Sequence, residues 1–185
     1  MEQALLVIDA QQDLIDGSEE ETGVFGKERL LANINLVIEK ALNAEVHLVF
    51  IRDLSVSNGE GEGFEVHSEI EVPERASVFN KKGTSSFYET PLLDHLRDKN
   101  VEHIVVAGCQ TNYCVDTAVR AASAFGFDVT LVGDAHSTTD NKVLKAEQII
   151  AHHNATLHGF DHGIHFSIVR NANEDLFQPL HGNYR

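Results

Sequence analysis

The hydrophobic pattern changes its period within residues 105–122, VVAGCQTNYCVDTAVRAA. Ile104 to Ala107 form a short, mostly β-branched run that Gly108 closes, which is typical of a fully buried strand. From about Asn112 the apolar residues recur at helical spacing and share one face. That face consists of Val115, Ala118, Val119 and Ala122. The stretch therefore predicts a strand followed directly by a helix, with Thr111 or Asn112 as the helix N-cap.

Cys114 falls in the first turn of this predicted helix. Unpaired backbone N–H groups and the positive end of the helix dipole favour an anion there, so we expect the pKa of the thiol to be lowered. The thiolate is the reactive form, which makes Cys114 a candidate nucleophile. A free cysteine at a strand–helix junction also serves in packing, and this stretch alone leaves both roles open.

Residues 4–8 form a continuous apolar run that ends in the carboxylate of Asp9. Unbroken apolar strands are typical of parallel sheets that are buried on both faces. In such folds ligands bind beyond the carboxyl ends of the strands, which is where Asp9 would lie. A turn or a helix cap is the alternative role for Asp9.

The rest of the chain alternates between apolar runs and helical patterns. Further strands are predicted over 45–52, 77–80, 128–132 and 164–169, and further helices over 27–44, 90–98 and 141–154. This alternation predicts an α/β fold, a three-layer α/β/α sandwich. No linker, repeat or low-complexity segment interrupts it, so we expect one domain over residues 1–185.

The chain carries a formal net charge of −15 at pH 7. Nucleic acids and anionic membrane surfaces need a basic footprint, so neither is an expected partner. No run approaches the roughly 20 apolar residues of a membrane span, and no signal peptide is visible. The two cysteines make neither a disulfide framework nor a zinc site. We therefore expect a cytoplasmic, reduced protein.

Two adjacent lysines, Lys81 and Lys82, follow the predicted strand at 77–80. Neighbouring lysines usually lie on the solvated surface. A lysine at a strand end beside an acidic residue can instead stabilise a thiolate and keep a carboxylate charged.

Taken together, several segments resemble the isochorismatase-like cysteine hydrolase superfamily. They are LLVIDAQQDL at 5–14, GFEVHSEI at 63–70, NKKGTSSFYET at 80–90, GCQTNYCVDTAVRAA at 108–122 and VGDAHST at 132–138. The resemblance implies a six-stranded, mainly parallel sheet and a catalytic triad of Asp9, Lys81 and Cys114. Lys81 takes the triad position rather than Lys82 because the family lysine precedes the motif phenylalanine, here Phe87, by six positions.

The same resemblance implies covalent catalysis. Asp9 would take the thiol proton, Lys81 would stabilise the charges, and Cys114 would attack an amide-type carbonyl. It also implies a cis peptide bond between Cys109 and Gln110, with the backbone N–H groups of Gln110 and Cys114 holding the oxyanion. We expect the substrate pocket to include Gln11, Leu14, Phe87, Thr111 and Tyr113.

Departures from the family pattern narrow the substrate. Nicotinamidases of the superfamily carry a metal site with Asp-x-His after the second strand, whereas this chain has Asp53-Leu54-Ser55. The histidine is missing, so nicotinamide is disfavoured as the substrate. Members that cleave isochorismate lack the cysteine, so isochorismate is also disfavoured as the substrate. The segment AEQIIAHHN at 146–154 is similar to a subgroup related to streptothricin hydrolases, which open a cyclic amide. We therefore expect a homo-oligomeric hydrolase, without metal or other cofactor, that acts on a small amide.

Three alternatives stay open at this point. The chain could be an isochorismatase-type or a nicotinamidase-type hydrolase despite these departures. A protein of the same fold can be a catalytically silent binding protein. A metalloenzyme could instead use some of the 11 histidines, although the spacings among those near the C-terminus match no HExxH-like motif. These histidines are His152, His153, His158, His162 and His165.

Overall fold

The computed structural model describes residues 1–19, 21–178 and 180–185. The strands are β1 Glu2–Ile8, β2 His47–Asp53, β3 Ser77–Lys81, β4 Val101–Cys109, β5 Asp128–Ser137, β6 Asp161–His162 and β7 His165–Arg170. The α-helices are α1 Gln12–Asp16, α2 Lys27–Asn43, α3 Gly61–Phe64, α4 Leu92–Asp98, α5 Asp116–Ala124 and α6 Ala146–Leu157. A π-helical turn, Thr111–Val115, connects β4 to α5, and 3₁₀ segments cover Val56–Gly59 and Leu180–Tyr184. Among these helices, none is long and apolar enough to cross a membrane.

The described strands form one sheet in the order β3-β2-β1-β4-β5-β7-β6. The pairs from β3 through β7 are parallel, and only the pairing of β6 with β7 is antiparallel. The expectation of six strands was therefore one too few. The seventh, β6, is two residues long and exposed, so it lacks the apolar run that identified the other strands.

Helices cover both faces of the sheet, as the side chains of β1 show. Leu5 and Val7 lie in the core that contains the apolar face of α2. Ala4, Leu6 and Ile8 lie in the opposite core, together with the apolar faces of α4 and α5. Because successive strand residues point to opposite faces, the continuous apolar run of β1 is buried on both faces of the sheet. The three-layer α/β/α architecture predicted from the sequence is confirmed.

β5 extends beyond its predicted end at Val132. Its register against β4 shifts between Val106 and Gly108, so that Gly108 pairs with His136 and Cys109 pairs with Ser137. Apolar periodicity does not reveal such a shift, because it arises from pairing between strands. The shift keeps the polar end of β5 beside the end of β4.

α6 begins later than the predicted start at Asn141. The side-chain oxygen of Asn141 accepts hydrogen bonds from the backbone N–H groups of Val143 and Leu144, at 2.8 and 2.7 Å. Bonds of this kind favour a turn over a helix. The helix accordingly starts at Ala146.

β1 and β4 approach each other closely at Gly108. This glycine has φ of 121°, and a Cβ atom on it would overlap the carbonyl oxygen of Ile8. Only glycine adopts such a conformation without strain and also leaves this space free. The close approach brings the residues that follow β1 and β4 to the same edge of the sheet.

We predict that Gly108→Ala lowers the free energy of unfolding by about 3 kcal/mol or more, because it combines backbone strain with a steric overlap. Gly159→Ala is the matched control, since Gly159 also has positive φ, 84°, but no atom of the described residues lies within 4 Å of its would-be Cβ. That control should cost only about 1 kcal/mol. Urea unfolding of the two variants measures the difference, and equal losses would contradict the close approach.

Candidate active site

Four chemically active side chains lie at the carboxyl ends of neighbouring parallel strands. Asp9 follows β1 directly, Asp53 ends β2 and Lys81 ends β3. Cys114 lies in the π-helical turn Thr111–Val115 after β4, which we call the Cys114 turn. Parallel strands end at a common edge, so one edge of the sheet collects all four groups, as it does in other α/β folds.

The ammonium of Lys81 is the centre of this group. Its Nζ lies 2.8 Å from Oδ2 of Asp9, donates to Oδ2 of Asp53 and lies 3.3 Å from Sγ of Cys114. The lysine side chain is fully buried, whereas the neighbouring Lys82 is exposed. Burial lowers the pKa of Lys81, but Asp9, Cys114 and Asp53 outweigh it and raise that pKa overall. Lys81 is therefore a fixed positive charge inside the site.

Asp53 is held in place by a network of its own. Its Oδ1 accepts hydrogen bonds from the backbone N–H and the hydroxyl of Ser55, at 2.8 and 2.7 Å. Burial raises the pKa of Asp53, but these bonds and Lys81 lower it overall. Gln11 fixes the backbone, since its side chain accepts from the Asp53 N–H at 2.7 Å and donates to the Asp53 carbonyl at 3.1 Å. Asp53 thus remains a carboxylate opposite Lys81.

Asp9 differs from Asp53 in its pKa. Its backbone has φ of 47°, and its N–H donates to the carbonyl of Ile51 at 2.9 Å. Burial raises the pKa of Asp9 to about 6, although Lys81 and Cys114 act in the opposite direction. Oδ1 of Asp9 is buried and has no hydrogen-bond partner among the described residues. A carboxylate with this pKa and a free oxygen can accept a proton near neutral pH.

The sequence-based expectation for the thiol of Cys114 was wrong. Burial raises its pKa to about 12, and the Asp9 carboxylate adds to this effect, while Lys81 lowers it. The helix-terminus argument considered only the backbone of the turn, whereas burial of the sulfur and a neighbouring negative charge dominate. The resting pair is therefore a protonated Cys114 beside an ionised Asp9.

The turn that carries Cys114 also differs from the prediction. It is π-helical and its N-cap is Gln110, whose carbonyl accepts from the N–H groups of Tyr113 and Val115 at 3.1 and 3.2 Å. The regular α5 helix begins only at Asp116. Single π-helical turns occur frequently at functional sites.

The peptide bond between Cys109 and Gln110 is cis, as the resemblance implied. Cys109 itself is fully buried in the core. Burial and the neighbouring Asp9 raise the pKa of its thiol. Cys109 is therefore a packing residue with an unreactive thiol, and Cys114 is the half-buried cysteine of the pair.

A cavity of about 200 Å³ opens onto Asp9, Asp53 and Cys114. Of the residues predicted to form the pocket, Leu14 and Tyr113 line this cavity, together with Gln110. The other three lie elsewhere. Gln11 is buried against Asp53, Phe87 packs against Phe125 with ring centroids 5.3 Å apart, and Thr111 is buried and bonds His136.

Several residues at the cavity were not among the site residues named from the sequence. Ser55, Val56 and Thr84 line it, and Asp53 pairs with Lys81. Strand register gives the missing signal for Asp53, since Asp53 of β2 lies opposite Lys81 of β3. A carboxylate at the end of the strand next to a candidate lysine indicates such a pair, but only once the order of the strands is known.

Asp9, Asp53 and Cys114 also form the one group of three potential metal ligands among the described residues. Their ligand atoms lie within 4.8 Å of one another. The Lys81 ammonium contacts all three side chains, so it already supplies a positive charge to this group. In the part of the chain that is described, the histidines between 152 and 165 belong to no such group.

The parallel sheet thus carries Asp9, Lys81 and Cys114 together at one edge. The family model described as the isochorismatase domain matches residues 3–156, and the chain belongs to the isochorismatase family. The uncharacterized isochorismatase family protein YddQ of Bacillus subtilis (strain 168) is 27% identical over 169 residues, which are 86% of this chain and 93% of that protein.

Two further proteins are similar to the chain. A streptothricin hydrolase of Streptomyces noursei is 32% identical over 142 residues, which are 75% of this chain but only 55% of that enzyme. The chain therefore matches about half of that relative's length. A crystal structure of an isochorismatase family protein superposes with a TM-score of 0.80 and 27% identity, and it covers 91% of this chain and 98% of the other.

We predict that Lys81→Ala slows alkylation of Cys114 by iodoacetamide at pH 9 about tenfold or more, because a neighbouring cation lowers a thiol pKa by about 1–3 units. Lys82→Ala is the matched control and should alkylate at the wild-type rate, since Lys82 is exposed. Mass spectrometry of the labelled peptide gives the rate, and circular dichroism verifies the fold. Equal rates in the two variants would show that Lys81 does not act on the thiol.

Proposed function

We propose that the protein hydrolyses a carbon–nitrogen bond of a small amide, with Cys114 as the nucleophile. The observation that carries this proposal is the Lys81 ammonium, which contacts both the Asp9 carboxylate and the Cys114 sulfur. A base, a thiol and a fixed cation in contact are the parts that nucleophilic catalysis by cysteine requires.

The first step is transfer of the Cys114 proton to Asp9. Asp9 is ionised above about pH 6, and the Cys114 thiol, whose pKa is about 12, is protonated at rest. Transfer moves one negative charge from the carboxylate to the sulfur, while Lys81 stays positive beside both. The net charge of the buried group is unchanged, so the transfer occurs without a new unpaired charge.

The thiolate then attacks the carbonyl carbon of the amide. We assign the oxyanion to the backbone N–H groups of Gln110 and Cys114, as the resemblance implies. Collapse of the tetrahedral intermediate breaks the C–N bond, and protonated Asp9 gives its proton to the leaving nitrogen. The products of this half-reaction are an amine and a thioester on Cys114.

Water completes the cycle. Asp9 is again a carboxylate after the amine has formed, so it can take a proton from a water that attacks the thioester carbonyl. The acid product leaves and the Cys114 thiol is restored. The unpartnered Oδ1 of Asp9 supports both proton transfers, because it is an acceptor that no described residue occupies.

The substrate class follows from the cavity and from the relatives. The cavity of about 200 Å³ at Cys114 admits a small acyl group. A larger cavity of about 600 Å³ shares Gln110 and Tyr113 with it, so the amine portion can extend outward there. The similarity to a streptothricin hydrolase supports an amide, and we include cyclic amides in the proposed class.

A screen of small linear and cyclic amides for release of ammonia or amine tests the proposed activity. Cys114→Ala serves as the blank for every compound. The proposal predicts that hydrolysis of at least one amide requires Cys114. A rate that persists in purified Cys114→Ala would contradict the covalent mechanism.

We predict that Cys114→Ala lowers turnover about 10³-fold or more, as the loss of a covalent nucleophile does. Cys109→Ala is the matched control, because it removes the same atom from the fully buried cysteine five positions earlier. It should keep most of the activity. A limiting dose of iodoacetamide should label Cys114, and a label found mainly on Cys109 would reverse the assignment.

A further inference from the structure

Two of the segments that resemble the family have no role in the proposed chemistry, and the structure joins them at the Cys114 turn. His136 belongs to the segment 132–138, and Asn154 belongs to 146–154. Nδ1 of His136 lies 2.8 Å from the hydroxyl of Thr111, and Nε2 lies 2.8 Å from Oδ1 of Asn154. Nδ2 of Asn154 donates in turn to the carbonyl of Gly133 at 2.8 Å.

The amide of Asn154 determines which histidine nitrogen carries the proton. The carbonyl oxygen of Gly133 can only accept, so the amide group of Asn154 must turn its NH₂ towards it. Oδ1 of Asn154 then faces His136 and can only accept. Nε2 of His136 must therefore be the protonated nitrogen.

The imidazole of His136 is neutral. Burial lowers its pKa to about 4, and His153 and Arg29 lower it further, while the hydrogen bond with Asn154 acts in the opposite direction. A neutral imidazole has one N–H, which Asn154 uses, so Nδ1 is an acceptor. The hydroxyl of Thr111 must donate to it.

Thr111 is the first residue of the Cys114 turn. Its carbonyl accepts the N–H of Asp116, so both its backbone and its side chain are fixed. The next residue, Asn112, accepts a hydrogen bond from the hydroxyl of Thr138 at 2.7 Å. His136 of β5 and Thr138, which directly follows β5, thus hold two consecutive residues of the turn.

The far end of this chain of hydrogen bonds is also rigid. A Cβ atom on Gly133 would lie 2.7 Å from Cγ1 of Val169 and 3.2 Å from Nδ2 of Asn154. The amide of Asn154 therefore packs directly on the backbone of β5, and the carbonyl of Gly133 fixes which way it faces.

We propose that Thr111, His136 and Asn154 are positioning residues that hold Cys114 against Asp9 and Lys81. The proposal rests on the proposed role of Cys114 as the nucleophile, which requires its sulfur to stay close to Asp9 and Lys81. We call the hydrogen-bonded chain of Thr111, His136 and Asn154 the relay. None of the three residues touches the reacting atoms. Each hydrogen bond among them has one fixed donor and one fixed acceptor, so together they fix the position of the turn relative to β5.

Thr111→Val tests the proposal, because it removes the hydroxyl and keeps the shape of the side chain. The loosened turn should move the sulfur of Cys114 towards water and away from both Asp9 and Lys81. Because burial and Asp9 raise the pKa of the thiol by more than Lys81 lowers it, that pKa should fall. The rate of alkylation by iodoacetamide at pH 8 should then rise about tenfold or more, since one pKa unit changes the thiolate fraction tenfold. Hydrolysis of any amide found by the screen should fall, with kcat affected more than KM. Thr111→Ser keeps the donor and should restore both rates.

Thr130→Val is the matched control for stability. Thr130 is likewise buried, and its hydroxyl lies 2.8 Å from Nε2 of the buried His103, towards the amino ends of β4 and β5. It should lose a comparable amount of thermal stability and alkylate Cys114 at the wild-type rate. If Thr111→Val changes the rate of alkylation no more than Thr130→Val does, the proposal is overturned.

The tautomer of His136 gives a second, independent measurement. Nitrogen-15 NMR of the labelled protein should find Nε2 of His136 protonated and Nδ1 bare between pH 6 and pH 8. A protonated Nδ1 would overturn the relay. Neither NMR nor alkylation requires a substrate, so a chain that hydrolysed no amide would refute the proposed function and leave the relay intact.

Discussion

The buried ammonium of Lys81 is the interaction on which the site depends. It pairs with Asp9 and Asp53 and lies beside the Cys114 sulfur. One cation therefore compensates the negative charge of two carboxylates at the same edge of the sheet. Removing one partner of a buried ion pair typically costs about 3–5 kcal/mol, because the remaining charge stays buried and uncompensated. Burial separates the two carboxylates in function, since it raises the pKa of Asp9 to about 6 against the effect of Lys81, whereas Ser55 and Lys81 keep Asp53 ionised.

The fold supplies the geometry that this cation needs. Parallel strands end at one edge, and the close approach at Gly108 lets the ends of β1 and β4 lie side by side. Hydrogen bonds then fix the polar groups from outside, with Gln11 on Asp53 and β5 on the Cys114 turn. A rigid surrounding of this kind holds reacting groups at short distances before the substrate arrives.

The sequence was sufficient for the features that depend on local pattern and on family resemblance. The apolar runs predicted the layered α/β architecture, and the motifs placed Asp9, Lys81 and Cys114, which the structure brings together. Features that depend on burial or on strand pairing were not predictable in this way. The raised pKa of Cys114 arises from desolvation and from Asp9, and the contact of Asp53 with Lys81 arises from the register of β2 and β3. The predictions of pocket residues were the least accurate. Gln11 and Thr111 do not line the cavity, and their side chains instead bond Asp53 and His136 behind it.

The proposed mechanism depends on a protonated Cys114 thiol in the resting protein, and thiolate absorbance in the ultraviolet measures that protonation state directly. A pH titration of the wild-type protein minus that of Cys114→Ala isolates the signal of Cys114, because Cys109 is common to both. We predict a protonated thiol at pH 7 and no thiolate signal until the pH is well above the ordinary thiol pKa of about 8.5, in accordance with a pKa raised to about 12. A full thiolate signal at pH 7 would show the opposite resting state, in which Asp9 has no proton to remove.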